Sequence, residues 1–309
     1  MEEINKSKRI LKILPWYIGL SYGLLFYTPI STLFFTIAKG LNPSQITMLG
    51  TISTLLCILL QPLIIRIIRR IDNISSVRIG SIILLISVLL ITFGNFYVIM
   101  IGFILEIIAF TFKDMVNIIL RNNLIFLNKS DEYIKYKNKA CLIYSISTAV
   151  IALIVSYLFN LNYDIPMLCC ILCCIVIIVM SLFFDDVKIK DNEIKKEKNY
   201  NKRILKNKVI LNIILFFGLI RTCIALGFNN SELFIQQDLK NFFDISKTAY
   251  YFSIIIFVSR IARIVSNMFL NRVYMKFKEK FQSKKQVVEK IEKEEKKYIS
   301  TKEEDLIKY

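Results

Sequence analysis

Long apolar runs alternate with short polar segments along the chain, and this alternation predicts eight membrane-spanning helices. An α-helix needs about 20 mostly apolar residues to cross the hydrocarbon core of a bilayer. The predicted spans are Leu14–Ala38 and about 45–65, 79–93, 96–115, 140–161, 165–184, 209–228 and 248–270. Gly40 and Pro43 end the first span, and Gly94-Asn95 divides an apolar stretch that is too long for one helix. We therefore expect an all-α membrane protein.

The grouping of the spans predicts four segments. Residues 1–184 form a six-helix bundle, and residues 209–270 contribute two helices of a partial second bundle. The charged segment 185–208 between them is expected to be a cytoplasmic linker without a core of its own, and 271–309 is a charged tail. The first apolar run is too long for a signal peptide and no small-residue cleavage site follows it, so we expect it to remain as a helix.

Lysine and arginine residues concentrate in every second polar segment. The basic segments are Met1–Lys12, Arg66–Arg78, Lys113–Lys139, Asp185–Lys208 and the residues after Arg272, whereas the other segments hold Lys39, Lys240 and Lys247. Because basic residues favour the cytoplasmic side, this pattern predicts a multi-pass protein of the cytoplasmic (plasma) membrane with both termini in the cytoplasm. Membrane topology and anionic lipid headgroups explain the formal net charge of +17, so we do not expect nucleic acid as a partner.

Motifs for metal binding or catalysis are scarce. Cys169, Cys170, Cys173 and Cys174 have the spacing of metal ligands, but they lie in an uncharged run where thiols act as small apolar groups. The chain has no histidine. It also has no Gly-rich phosphate loop, nucleophile elbow or paired carboxylate cluster. We therefore expect no metal site, no cofactor and no enzymatic activity.

Two charged residues lie near the middle of predicted spans, Glu106 in the fourth and Arg221 in the seventh. A charge there costs about 2.5 kcal/mol or more and usually faces a cavity or a partner. One interpretation is an ion pair or a contact to a charged solute, with Glu106 as a proton carrier. The other is a structural salt bridge between packed helices, or an unpaired charge that snorkels toward the membrane surface in a damaged protein. Tyr22, Tyr27 and Thr28 are further candidates for the same cavity, although aromatic residues in spans more often pack or lie at the membrane interface.

Two short similarities suggest that the second part of the chain repeats the first. Ser31–Phe34 (STLF) matches Ser231–Phe234 (SELF), and the pattern that begins at Arg66 (RIIR) matches the one at Arg260 (RIAR). Parallel repeats of a six-helix unit are one way in which transporters are built.

At this point the chain resembles a known family. The segment Phe34–Ile46 (FFTIAKGLNPSQI), followed by an apolar helix that ends in Gln61-Pro62, resembles the first hairpin of major facilitator superfamily transporters. The six helices, the linker and the partial second half resemble the same superfamily over about residues 14–275. The resemblance implies transport of a small solute by alternating access, with a cavity lined mainly by the first, fourth, seventh and tenth helices. Glu106 and Arg221 would then lie on cavity-lining helices of opposite halves.

The loop between the second and third spans departs from the superfamily pattern. That pattern is similar to Gly-x-x-x-Asp-Arg-x-Gly-Arg-Arg and gates the cytoplasmic face, whereas in Ile65–Asn73 only Arg70 matches its expected type. We retain Arg66, Arg69, Arg70 and Asp72 as candidates for a cytoplasmic gating loop. The alternative is a basic loop that only orients the chain in the membrane.

The number of spans is the larger departure. The superfamily usually has twelve helices, so the eight predicted here suggest an incomplete fold. The exposed faces of the last two helices would then meet lipid, a second copy of the chain or a separately encoded remainder of the fold. The alternative function is a non-transporting membrane protein, such as a scaffold, a regulator or a degenerate transporter remnant.

Overall fold

The structure is a computed structural model and describes residues 2–184, 212, 216, 219, 220, 231–266, 268 and 269. Within these residues the regular elements are helices and no strand occurs. The helices are α1 (Glu2–Ser21), α2 (Ser31–Leu33), α3 (Pro43–Ile68), α4 (Asn73–Phe93), α5 (Phe96–Lys113), α6 (Val116–Phe126), α7 (Tyr133–Leu161), α8 (Ile165–Leu182), α9 (231–242) and α10 (Ile245–Ser266). A π-helix, Phe34–Ala38, follows α2 directly, and a 3-10 turn, Ser130–Glu132, precedes α7.

Several of these helices are long and apolar enough to cross a membrane. In the described part of the chain they are Asn73–Phe93 (α4), Phe96–Phe126 (α5 and α6 together), Ser130–Leu161 (the 3-10 turn and α7), Ile165–Leu182 (α8) and Ile245–Ser266 (α10). Helix α3 bends by 46° between Pro43–Leu56 and Ile58–Ile68, and it adds a further span if the two parts are taken together. The expectation of an all-α membrane protein is therefore confirmed.

The first predicted span is not one continuous helix. Helix α1 begins at Glu2 instead of Leu14 and ends at Ser21, and residues 22–30 are not helical. Pro29 lacks the amide hydrogen that a helix needs, and it disfavours the helical conformation at the residue before it. The prediction of a single helix was wrong because hydropathy does not distinguish helical from non-helical apolar residues.

Other helices extend beyond the apolar runs that predicted them. Helix α4 begins at Asn73, α7 begins at Tyr133, and α6 lies inside a predicted basic link. Helix α9 lies in a predicted outer loop. Hydropathy marks only the part of a helix in hydrocarbon, whereas helical hydrogen bonding continues into the polar flanks.

The remaining predicted segments are described only in part or not at all. Of the predicted span 209–228, residues 212, 216, 219 and 220 are described and helical. The linker 185–208 and the tail 271–309 lie outside the described residues.

Small residues bring α4 and α5 close together. A Cβ atom on Gly80 would lie 2.8 Å from Phe112 Cβ, and one on Gly102 would lie 2.8 Å from Ile91 Cγ1. The Ser87 hydroxyl donates a hydrogen bond to the carbonyl of Gly102 (2.9 Å). Close backbone approach of this kind stabilises helix pairs in a bilayer, where burial of apolar side chains adds little.

Basic side chains satisfy carbonyl groups at the ends of other helices. Arg78 of α4 donates to the carbonyls of Ser181 (3.4 Å) and Leu182 (3.3 Å) at the end of α8. Lys39 donates to the carbonyl of Thr92 in the last turn of α4. The C-terminus of a helix carries a partial negative charge, so a cation there is stabilising.

Helix α10 packs on the same apolar core as the first helices. Phe252 and Ile256 of α10 join a buried cluster that contains Phe34 and Phe35 of the π-helix and Leu84 of α4. The π-helix at the end of the first predicted span and α10 therefore contribute to the same hydrophobic core.

Candidate functional site

The chain leaves the helical conformation after α1, and residues 22–30 form a break inside the bundle. Within it, the Thr28 amide donates to the Leu24 carbonyl (2.8 Å) and the Ile30 amide donates to the Tyr27 carbonyl (3.0 Å). The Thr28 hydroxyl also donates to the Leu24 carbonyl (2.7 Å). Non-helical backbone at membrane depth is tolerated only where protein surrounds it or where it lines a water-filled cavity. The break is therefore the first candidate for a solute-binding region.

Helix α8 places two buried thiols next to the break. Cys170 and Cys174 lie one turn apart, and each is 1% exposed. Cys170 lies against the backbone of Phe26 and Tyr27. Among the residues that the structure describes, no three His, Cys, Asp or Glu side chains are grouped so as to hold a metal ion.

Helix α5 presents a charged and aromatic face to the same region. Phe103, Glu106, Phe110 and Lys113 follow one another at intervals of three or four residues, which places them on one side of the helix. The ring of Phe103 lies 5.6 Å from that of Phe35 in the π-helix, between ring centroids. The face of α5 that carries Glu106 therefore points toward the first span.

Lys113 connects α5 to the end of α1. It is 3% exposed, and its ammonium group donates to the carbonyl of Ser21, the last residue of α1, over 2.9 Å. The ammonium also lies 4.9 Å from the centroid of the Phe110 ring. Lys113 is thus a buried cation at a helix C-terminus, where the unpaired carbonyls attract positive charge.

Glu106 is only partly buried. No residue in the described ranges forms a hydrogen bond or a salt bridge with its carboxylate, although Lys113 acts on it electrostatically. Tyr27, in the break, lies within electrostatic reach of the same carboxylate. Of the two intramembrane charges noted in the sequence, Glu106 is therefore the one that the structure places within electrostatic reach of both the break and Lys113.

Helices α9 and α10 bring further polar groups to this region that the sequence did not single out as a site. Glu232 of α9 lies within electrostatic reach of both Tyr27 and Arg260 of α10. Gln236 is 2% exposed and donates a hydrogen bond through Nε2 to the Thr36 hydroxyl of the π-helix. The first span and α9 therefore meet through a buried polar contact.

The contact between Thr36 and Gln236 agrees with the internal repeat suggested by the sequence. Helix α2 begins at Ser31 and α9 begins at residue 231, at the two copies of the matching motif. Thr36 and Gln236 each lie five residues after these starts. Equivalent positions of the two copies thus touch each other.

The other predicted cavity residues have different environments. Tyr22 is 49% exposed, and its ring lies 5.0 Å from that of Tyr144 on α7. The Thr28 hydroxyl is occupied by the backbone of its own turn. Arg221 lies outside the described residues, so its pairing with Glu106 stays a prediction.

The four candidates for the gating loop lie on the surface. Arg66, Arg69 and Arg70 are exposed at the end of α3, and Asp72 is exposed at the position that precedes α4. None of them forms a salt bridge with another described residue. The role of these residues in a cytoplasmic gating loop stays a prediction.

The sequence contains one signal that Lys113 belongs to the same side of α5 as Glu106. It follows Glu106 by seven residues, which is two helical turns, so the two charges must share one side of α5. Its position at the start of a basic segment led to its interpretation as a topogenic charge.

The comparison with protein families agrees with this architecture. The model of the Major Facilitator Superfamily matches residues 10–282, which is most of the chain. No curated protein sequence matches the chain. The resemblance drawn from the first hairpin is thus confirmed, and members of this superfamily are membrane transporters. The chain belongs to the major facilitator superfamily.

Proposed function

We propose that the protein moves a small solute across the membrane by alternating access, and that Glu106 and Tyr27 contact the solute or a coupling proton. The observation that carries this proposal is the Glu106 carboxylate, which has no direct partner in the described residues and faces the broken first span. An intramembrane carboxylate is costly and is retained where it has a function. Transporters also use discontinuous spans to build their binding sites.

The arrangement of polar groups supports a site between two groups of helices. Glu106 and Tyr27 belong to the six-helix unit 1–184, whereas Glu232 and Arg260 belong to the proposed second unit, 209–270. In alternating access the two units move relative to each other around a central site. The proposed site has charged groups on both sides of this division.

Solute uptake tests the role of Glu106. The purified protein is first screened for thermal stabilisation by radiolabelled amino acids, sugars, nucleosides, carboxylates and organic amines. Uptake of the stabilising solutes into proteoliposomes is then compared between wild type, Glu106→Gln and Glu132→Gln. The last variant is a matched control, because Glu132 lies on the surface and pairs with Lys129 (3.3 Å).

We expect Glu106→Gln to lose most of the uptake and Glu132→Gln to retain it. Equal uptake by both variants would remove Glu106 from the site. If wild type transports no solute of the panel, with or without a pH gradient, a non-transporting membrane protein becomes the better interpretation.

The contact between Thr36 and Gln236 gives a test of the movement itself. In a background without the seven native cysteines, Thr36→Cys and Gln236→Cys are joined by a short bis-methanethiosulfonate cross-linker. If the two units must separate at this point, uptake stops on cross-linking and returns on reduction. Uptake that continues through the cross-link contradicts alternating access at this contact.

We also propose that the protein lies in the cytoplasmic membrane with both termini and the loop around Arg69 inside the cell, as the distribution of basic residues indicates. Asn160 near the end of α7 and Arg69 at the end of α3 are both exposed. In the cysteine-free background, a membrane-impermeant maleimide should label Asn160→Cys in intact cells. It should label Arg69→Cys only after permeabilisation, and the opposite result would reverse the orientation.

A further inference from the structure

The buried ammonium of Lys113 has a small set of groups that compensate its charge. They are the Ser21 carbonyl (2.9 Å), the Phe110 ring (4.9 Å) and, at longer range, the carboxylates of Asp114 and Glu106. A buried cation that loses its partners is strongly unfavourable. The end of α1 therefore cannot move away from α5 unless Lys113 finds another acceptor.

Close packing fixes the stem of Lys113. A Cβ atom on Gly80 of α4 would lie only 2.9 Å from Lys113 Cγ, so the backbone of α4 packs directly against the first part of the side chain. The Glu106 carboxylate lies two turns earlier on the same side of α5, and it acts on the ammonium electrostatically without forming a salt bridge with it. In helices, long side chains point toward the N-terminus, which is the direction of Glu106.

From this geometry we propose that Lys113 is a positioning residue that couples the charge on Glu106 to the break in the first span. When Glu106 is neutral, Lys113 holds the Ser21 carbonyl and keeps the break closed on α5. When Glu106 is ionised, it competes for the ammonium, so the hold on Ser21 weakens and the break loosens. This inference rests on the proposed role of Glu106. Through Lys113, a proton or a cationic solute that binds at Glu106 would move the first span.

Other charged or titratable groups also face this pair. They are Cys174 of α8, Tyr27 of the break, and Asp114, which follows the last residue of α5 and itself interacts with Lys137 of α7. Asp114 is exposed, and the thiols and the phenol are neutral when protonated. Among the residues that the structure describes, Glu106 is therefore the carboxylate inside the bundle that can compete with Ser21 for Lys113.

Hydrogen exchange in lipid nanodiscs tests this coupling without a transported solute. The amides of Thr28 and Ile30 are hydrogen-bonded within the break, so their exchange reports its opening. The variants are Lys113→Met, Glu106→Gln and the double variant, with Lys139→Met as a matched control at an exposed position of α7. Lys113→Arg retains the charge and should rescue the wild-type behaviour.

We expect Lys113→Met to speed exchange at the break by about ten- to a hundredfold, as loss of a charge-assisted hydrogen bond implies. Glu106→Gln should slow exchange in the presence of Lys113 and have no effect in the Lys113→Met background. A purely structural role predicts effects of the two substitutions that add. Additive effects, or exchange in Lys113→Met that equals that in Lys139→Met, would overturn the proposal.

A comparison that keeps Lys113 decides the question if Lys113→Met does not fold. After correction for the intrinsic pH dependence of amide exchange, wild type should exchange faster at the break as the pH rises from acid to neutral, because Glu106 ionises. The same profile should be flat in Glu106→Gln. A flat profile in both proteins would refute the coupling, whatever the outcome of the uptake experiments.

Discussion

Replacement of Gly19 by alanine tests how closely the first span packs on α7. An added Cβ atom would lie 2.8 Å from Ile143 Cγ2 and 2.9 Å from the backbone carbonyl oxygen of Ala140. The carbonyl cannot yield without a shift of α7, so we expect an overpacking cost of about 1–3 kcal/mol. Against this, alanine gains about 1 kcal/mol over glycine in a helix. The net expectation is destabilisation by up to about 2 kcal/mol.

Gly50→Ala is the matched control for this prediction. Gly50 lies within α3, and an added Cβ atom would have no atom within 4 Å. It should therefore show only the gain in helix propensity, so the difference between the two variants isolates the overpacking cost.

Unfolding by SDS in mixed micelles, followed by far-UV circular dichroism, measures both free energies. The single tryptophan, Trp16, lies on α1 and gives a second, local signal. Equal shifts in the two variants would refute close packing between α1 and α7.

Three further predictions concern polar contacts. Ser7→Ala should destabilise the protein by about 1–3 kcal/mol, because the Ser7 hydroxyl donates to the buried Asn123 Oδ1 (2.8 Å). Ser44→Ala, at an exposed position of α3, is its control and should change the unfolding free energy little. A similar loss of stability in both variants would contradict a stabilising role for the Ser7 hydrogen bond. Arg78→Gln should lower the unfolding free energy by about 0.3–1 kcal/mol, because the cation at the end of α8 is lost. The same SDS titration measures this change, with Lys135→Gln at an exposed position as the control. Ser87→Ala should loosen α4 and α5 by about 0.5–1.5 kcal/mol, and unchanged exchange of the amides in both helices would contradict a stabilising role for that hydrogen bond.

Several features of the protein follow from its sequence alone. Runs of apolar residues long enough to cross hydrocarbon predict most of the spans, because every backbone polar group in a bilayer must be satisfied within a helix. The segment around Lys39-Gly40 and the order of the spans were sufficient to indicate the superfamily. Glu106 was noticeable because a carboxylate is rare in the middle of a span.

The break at residues 22–30 and the burial of Lys113 were decided only by the tertiary structure. Hydropathy averages over a window of about 20 residues, so an apolar segment that leaves the helix looks the same as one that continues it. The acceptor of Lys113 is a backbone carbonyl 92 positions earlier in the chain, and a carbonyl has no sequence signature because every residue has one. Only the packing of α1, α4 and α5 brings that oxygen to Lys113, and so a residue that had looked like a topogenic charge became an internal contact.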